Sequence, residues 1–179
     1  MMKRLFVAVD LPAEMKAQIG SICHGLPDTR WIPPEQIHLT VRFIGEVEGS
    51  IFKQIASALA GIVCDPPMLE IKGIGHFPPR RKPRVLWLGV EPNDLLLRLR
   101  NRIEAILVKS GLPPEGRKFA PHITIARLKN PPINRVADFM AAHSLFALPP
   151  FPVEEFHLYS SILSSSGAVH RIEETYPLI

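Results

Sequence analysis

The feature that limits this chain most is a stretch that occurs twice. Gln36-Ile37-His38-Leu39-Thr40-Val41-Arg42-Phe43 has a second edition in Pro121-His122-Ile123-Thr124-Ile125-Ala126-Arg127-Leu128, about 84 residues further on. Both are rich in Val, Ile and Thr, the composition of a strand. On a strand a His and a Thr two positions apart point the same way, while Leu39 and Val41, or Ile123 and Ile125, point to the other face. Each copy therefore predicts a strand with one apolar side for a core and one side that displays an imidazole and a hydroxyl.

The surroundings repeat in the same order. Residues 5–9 form an apolar run fit for a central strand, and Pro12 opens a helix with Met15, Ile19 and Ile22 on one face. Residues 25–34 read as a turn-rich connection, and Pro33-Pro34 makes a stiff entry to the first histidine strand. Ile51, Ile55, Leu59 and Ile62 then mark a helix, and Leu69 with Ile71 begins another strand. The plan restarts with a strand over 84–90 and a helix after the cap Asp94, carrying Leu95, Leu99, Ile103 and Ile106 or Leu107. The second histidine strand follows, then a helix around Val136, Phe139 and Met140, then a strand over 155–160. Strand, helix, histidine strand, helix, strand thus occurs twice. That spacing is too long for a solenoid and predicts a duplicated lobe, the histidine strands being related by an approximate two-fold axis. Residues 169–176 return as a last strand.

Two imidazoles brought to one cleft can supply a neutral base and a protonated acid near neutrality. A threonine hydroxyl beside each ring suits an anionic group with several oxygens, which is the chemistry of phosphoryl transfer. Either triplet alone could be an ordinary solvent-facing pair; two in matching surroundings favour the cleft. His24, His76, His143 and His170 have no partner at metal-ligand spacing, and no Cys cluster or His-Glu-x-x-His run is present, so neither metal nor cofactor is expected. His157 alternates with Tyr159 and fits the groove or surface packing equally. The lack of a Gly-rich loop ending in Gly-Lys-Ser/Thr argues against nucleotide-powered chemistry.

His38-Leu39-Thr40-Val41 and His122-Ile123-Thr124-Ile125 resemble the duplicated His-x-Thr/Ser-x signature of the two-histidine phosphoesterase family. Residues 4–9, 38–45 and 119–128 resemble its RNA 2',3'-cyclic phosphodiesterase branch, formerly called 2'-5' RNA ligase, and the likeness runs over nearly the whole chain. It implies an α+β fold: one bilobal domain over residues 1–179, with two pseudo-symmetric lobes, each an antiparallel sheet flanked by helices, around a central groove. It implies hydrolysis of RNA 2',3'-cyclic phosphate to a 2'-phosphate by release of the 3' oxygen, with His122 as base and His38 as acid. Joining such an end to a 5'-hydroxyl through a 2'-5' bond belongs to the same resemblance.

Thr40 and Thr124 are expected to donate to the non-bridging phosphate oxygens. Arg42 has the parity of His38 and Thr40 and is expected on their face. Arg127, five residues from His122, has the wrong parity for a regular strand; a bulge could bring it round, and an Arg there is typical of the family. Phe43 has core parity and is read as packing. Phe119, just before the second motif, is a candidate for stacking on a base. The segment 75–84 holds four positive charges and Phe77, and is either a solvated hairpin loop or a cleft edge that attracts RNA phosphate.

The net charge of +4, from 21 Lys and Arg against 17 Asp and Glu, mildly favours an anionic partner. With 46% hydrophobic and 21% charged residues, the chain is not of disordered composition. Cys23 and Cys64, without Cys-x-x-Cys spacing, read as reduced thiols of an intracellular protein. The amino-terminal apolar run meets Asp10 too soon for a signal peptide, and no run approaches a membrane span. A cytoplasmic monomer acting on RNA with a 2',3'-cyclic phosphate end is expected. The alternatives are a phosphodiesterase of another small cyclic or 2'-5'-linked nucleotide, and an RNA-binding module without catalysis.

Overall fold

The computed structural model describes residues 1–179. In chain order its elements are β1 (Met2–Asp10), α1 (Ala13–Gly20), β2 (Thr29–Trp31), β3 (His38–Glu48), α2 (Gly49–Leu59), β4 (Met68–Leu69), β5 (Ile71–Phe77), β6 (Val85–Val90), α3 (Asp94–Lys109), β7 (His122–Leu128), α4 (Ile133–Ala142), β8 (Phe151–Pro152), β9 (Glu155–Ser164) and β10 (Gly167–Pro177). A 3-10 turn over Pro34–Gln36, led in by Pro33, delivers the chain to β3. The strands form two four-stranded antiparallel sheets, ordered β10-β9-β1-β3 and β2-β7-β6-β5, and a ribbon of β4 with β8. The fold is α+β, with two antiparallel sheets and four helices.

The two halves of the sequence exchange strands. β1 and β3 share a sheet with β9, which ends the second half, while β6 and β7 share theirs with β5, which ends the first. Neither sheet can therefore be completed by one half of the chain. Two strands of these four-stranded sheets stand outside the repeated order: β10 covers the free side of β9, and the short β2, inside the connection read as turns, covers the free side of β7. β3 is thus a sheet edge, whereas β7 is flanked on both sides.

One apolar core joins the sheets and helices. It takes Leu5, Val7 and Val9 from β1, Leu39 and Val41 from β3, Leu86 and Leu88 from β6, and Ile123 and Ile125 from β7. Met15 and Ile19 of α1, Ile55 and Leu59 of α2 and Val136 and Phe139 of α4 enter it at helical spacing, as do Leu96, Leu99, Ile103 and Leu107 of α3. Each such side chain contributes about 1.5 to 3 kcal/mol on burial, so the faces left uncovered are decided by this pattern. Ile22 and Ile62 are buried just past the ends of α1 and α2. The cap of α3 is Asn93 rather than Asp94: its side-chain oxygen accepts from the Leu96 N–H at 2.9 Å. No helix is long and apolar enough to cross a membrane. Cys23 and Cys64 are free thiols, and burial pushes Cys23 up to about 11.

Candidate active site

The two histidine strands bulge at the same place. On β3, Ala8 pairs with Thr40 but Val7 pairs with Arg42, so Val41 is one residue extra. On β7, Trp87 pairs with Thr124 but Leu86 pairs with Ala126, so Ile125 is extra. Before each bulge the His and Thr point away from the core; after it the parity inverts. Ala126 is consequently buried, and Arg127 emerges exposed on the face of His122 and Thr124.

The same inversion corrects two expectations on β3. Arg42 does not share the face of His38: it is 8% exposed, its guanidinium paired with Glu104 of α3 and donating to the carbonyls of Phe43 and Pro113. Phe43, expected in the core, is 57% exposed on the histidine side, 6.0 Å from the Phe6 ring. Phe119 is also placed otherwise. It is half-buried against the core, with the Arg100 guanidinium over its ring at 5.8 Å.

The faces that carry the histidines meet along a groove. Arg30 of β2 lies against Gly167 at the start of β10, and the charge of Arg127 reaches His170 on β10. β3 and β7 also run close together. Each motif His is fixed in the same way. His38 Nδ1 donates to the Gln36 carbonyl at 2.7 Å, and His122 Nδ1 donates to the Ala120 carbonyl at 2.8 Å. A carbonyl only accepts, so Nδ1 carries a hydrogen on both rings and Nε2 is the nitrogen not held by the backbone. The Thr40 hydroxyl donates to His38 Nε2 at 3.1 Å, and Thr124 holds the equivalent place on β7.

The rings around the two histidines differ. His38 lies 5.0 Å from Phe6, 5.9 Å from Tyr159 and 5.2 Å from His170, which stands edge-on to it. Phe6 and Ala8 are the residues of β1 that alternate with its core side chains, and with Tyr159 they form a small separate apolar floor. Burial there pushes His38 down to about 4 from an ordinary 6.5, against the pull of its carbonyl bond and of Asp10. A cavity of about 240 Å³ opens beside it, lined by Asp10, Gln36, His38, Tyr159 and His170 among others. His122 is more open, with Phe77 edge-on at 5.0 Å and Trp87 at 6.4 Å. Gly75 makes room for that indole, because a Cβ at this position would collide with it.

Phe6, Trp87, Tyr159 and His170 were not singled out as site residues by the sequence, although the alternation of Phe6 and Ala8 against Leu5, Val7 and Val9 is the signal that marks the floor. His157, the register partner of Ala8, is buried beside this floor on the same face, with Nδ1 2.9 Å from the Thr175 hydroxyl and Nε2 3.5 Å from Glu155. No group of three or more His, Cys, Asp or Glu side chains converges as a metal site would require. The arrangement offers two tautomerically fixed imidazoles, a threonine two residues after each, and the exposed guanidinium of Arg127.

Comparison with known proteins gives a consistent result. The 2'-5' RNA ligase superfamily matches residues 11–162. The RNA 2',3'-cyclic phosphodiesterase of Archaeoglobus fulgidus is 32% identical over 173 residues, covering 94% of this chain and 96% of its own. The protein of that name from Thermotoga maritima is 34% identical over 182 residues, covering 94% and 92%. Among solved structures, E. coli LigT complexed with 3'-AMP superimposes with a TM-score of 0.79 at 28% identity, over 99% of each chain.

Proposed function

This chain belongs to the 2'-5' RNA ligase superfamily, and from that premise we propose that it is an RNA 2',3'-cyclic phosphodiesterase in which His38 and His122 move the protons without a metal. The observation that carries this reading is the doubled geometry: in both motifs Nδ1 is held by a carbonyl two residues upstream, which leaves Nε2 unclaimed by the backbone on the face of the motif threonine. A single strand histidine needs no such fixing.

His122 Nε2 takes a proton from water, and the oxygen of that water attacks phosphorus. The bond from phosphorus to the ribose 3' oxygen breaks in line, and His38 gives that oxygen its proton. The product is a 2'-phosphate and a free 3'-hydroxyl, and the second turnover begins when the proton returns from His122 to solvent and His38 is recharged. With a 5'-hydroxyl in place of water, the same attack joins two RNA ends through a 2'-5' bond. Thr40, Thr124 and Arg127 stabilise the non-bridging oxygens as charge builds on them.

His38 enters this cycle neutral, since its burial holds it near 4. The substrate itself makes it an acid. Raising it by three units requires about 4 kcal/mol, which a unit negative charge at about 4 Å supplies at an effective dielectric of about 20. Proton uptake is therefore coupled to binding of the cyclic phosphate. The test of the reading is product analysis on a short RNA ending in a 2',3'-cyclic phosphate: a 2'-phosphate end is expected, and an unchanged end or a 3'-phosphate contradicts it.

A further inference from the structure

Arg30 and Arg127 are direct register partners on β2 and β7. Trp31, the neighbour of Arg30, packs toward the core against Phe139, so Arg30 takes the opposite, groove-facing side that Arg127 reaches through the bulge. Two like charges opposite one another on paired strands are unfavourable in a free protein. Neither guanidinium has a carboxylate within ion-pair distance, nor does Lys129, which follows on the same strand end. The side chain of Arg30 crosses the groove to lie on Gly167, and a Cβ at that position would collide with the guanidinium. The β9-β10 turn thus closes one end of the groove over a basic floor. There a polar hollow of about 410 Å³ is lined by Arg30, Lys129, Thr29, Ser165 and Ser166, with Asp28 the one acidic member. The basic turn between β5 and β6 lies alongside, since the Leu128 N–H donates to the Arg84 carbonyl and Lys82 bonds Asn130.

Strand β7 links this hollow to the histidines: Arg127, the register partner of Arg30, lies on the same strand face as His122 and Thr124. Arg127 is near enough to depress His170, whose ring is 5.2 Å from His38. A 2',3'-cyclic phosphate exists only at the 3' end of an RNA, so any further phosphate of the substrate lies on its 5' side. On the reading of function given above, we infer that Arg30, Lys129 and the serines of the β9-β10 turn form a subsite for the phosphodiester 5' to the terminal nucleotide. Arg127, between this subsite and the histidines, then faces negative charge on both sides, and the repulsion of the arginine pair is relieved only when RNA is bound. The enzyme accordingly selects an RNA chain end over a free nucleoside 2',3'-cyclic phosphate.

The experiment compares kcat/KM for a trinucleotide ending in a 2',3'-cyclic phosphate with that for the corresponding nucleoside 2',3'-cyclic phosphate, in wild type, Arg30→Ala and Lys129→Ala. Wild type is expected to prefer the trinucleotide at least tenfold, and each variant to lower that ratio about tenfold, chiefly through KM. Equal activity of wild type on both, or an unchanged ratio in both variants, overturns the subsite. Fluorescence anisotropy with a labelled trinucleotide carrying a stable 2'-phosphate end reads the same site without turnover. Each variant should bind more weakly and lose roughly 0.7 from the slope of log affinity against log salt, the amount expected for one single-strand phosphate contact. Absence of hydrolysis with these binding losses intact would refute the phosphodiesterase reading and leave the RNA subsite standing; unchanged binding and salt slope would remove the subsite whatever the activity.

Discussion

Phe43 and Arg127 are counterparts: each follows its motif histidine by five residues and is turned onto the groove face by a single extra residue after the motif threonine. One lobe thus presents a ring where the other presents a cation. Arg127→Ala should lower kcat/KM for cyclic-phosphate RNA roughly ten- to hundredfold, the value of a charge-assisted hydrogen bond of about 1.5 to 3 kcal/mol. Phe43→Ala should act mainly through KM, as loss of a stacking platform worth about 1 to 3 kcal/mol does. Steady-state kinetics of both variants checks the contrast, and a pure kcat effect in Phe43→Ala would be inconsistent with stacking.

Arg42 should behave as a structural residue. Its removal leaves the half-buried Glu104 carboxylate without its cation and the Phe43 and Pro113 carbonyls without their donor, and a charge-assisted hydrogen bond of this kind is worth about 1.5 to 3 kcal/mol. Arg42→Ala should therefore shift the urea midpoint strongly, while the folded fraction keeps its KM. A stable Arg42→Ala variant with a raised KM would return Arg42 to the groove.

Stability should fall on mild acidification. Between the ordinary 6.5 of histidine and the folded value near 4, the unfolded chain binds a proton at His38 that the folded chain does not, so unfolding becomes easier as pH drops through that window. His157 and His170, both depressed by burial first, act in the same direction. Urea denaturation at pH 7 and pH 5 should show the loss in wild type and a smaller loss in His38→Gln; an identical loss in the variant would place the titration elsewhere.

Hydrolysis of the cyclic phosphate should persist in excess EDTA, since the proposed mechanism assigns the acid, the base and the charge stabilisation to side chains. Loss of turnover restored by zinc or manganese would show that the histidines are ligands and not proton carriers.

The strands and their apolar faces were legible because period-two alternation holds within each motif as far as Val41 and Ile125. Parity fails one residue later, where the extra residue in each strand reverses the faces. That is why Arg42 and Phe43 exchanged places relative to expectation while Arg127, read with a bulge in mind, did not. The order of elements was also readable, but pairing is nonlocal: nothing in β5 or β9 announces that each completes the other half's sheet. The packing of Phe119 was unreadable for a related reason. Nearness in sequence to His122 says little about a side chain that lies half-buried under Arg100 of α3. His170 became part of the site only through the last strand of the first sheet, a placement that no motif in its own segment encodes.

On the proposed mechanism two fixed imidazoles each carry one of two proton transfers, from water and to the leaving oxygen, and this is tested most directly by turnover of a cyclic-phosphate RNA with His38→Ala and His122→Ala. Each variant should lose on the order of 10²-fold to 10⁴-fold in kcat with much smaller changes in RNA binding, and the wild-type kcat/KM should follow a bell-shaped pH profile belonging to the coupled pair. A substrate with a far better leaving group than the ribose 3' oxygen should restore His38→Ala, from which only the acid is missing, and barely help His122→Ala. Rescue of His122→Ala instead would exchange the two roles, and wild-type turnover in either variant would contradict the two-histidine mechanism.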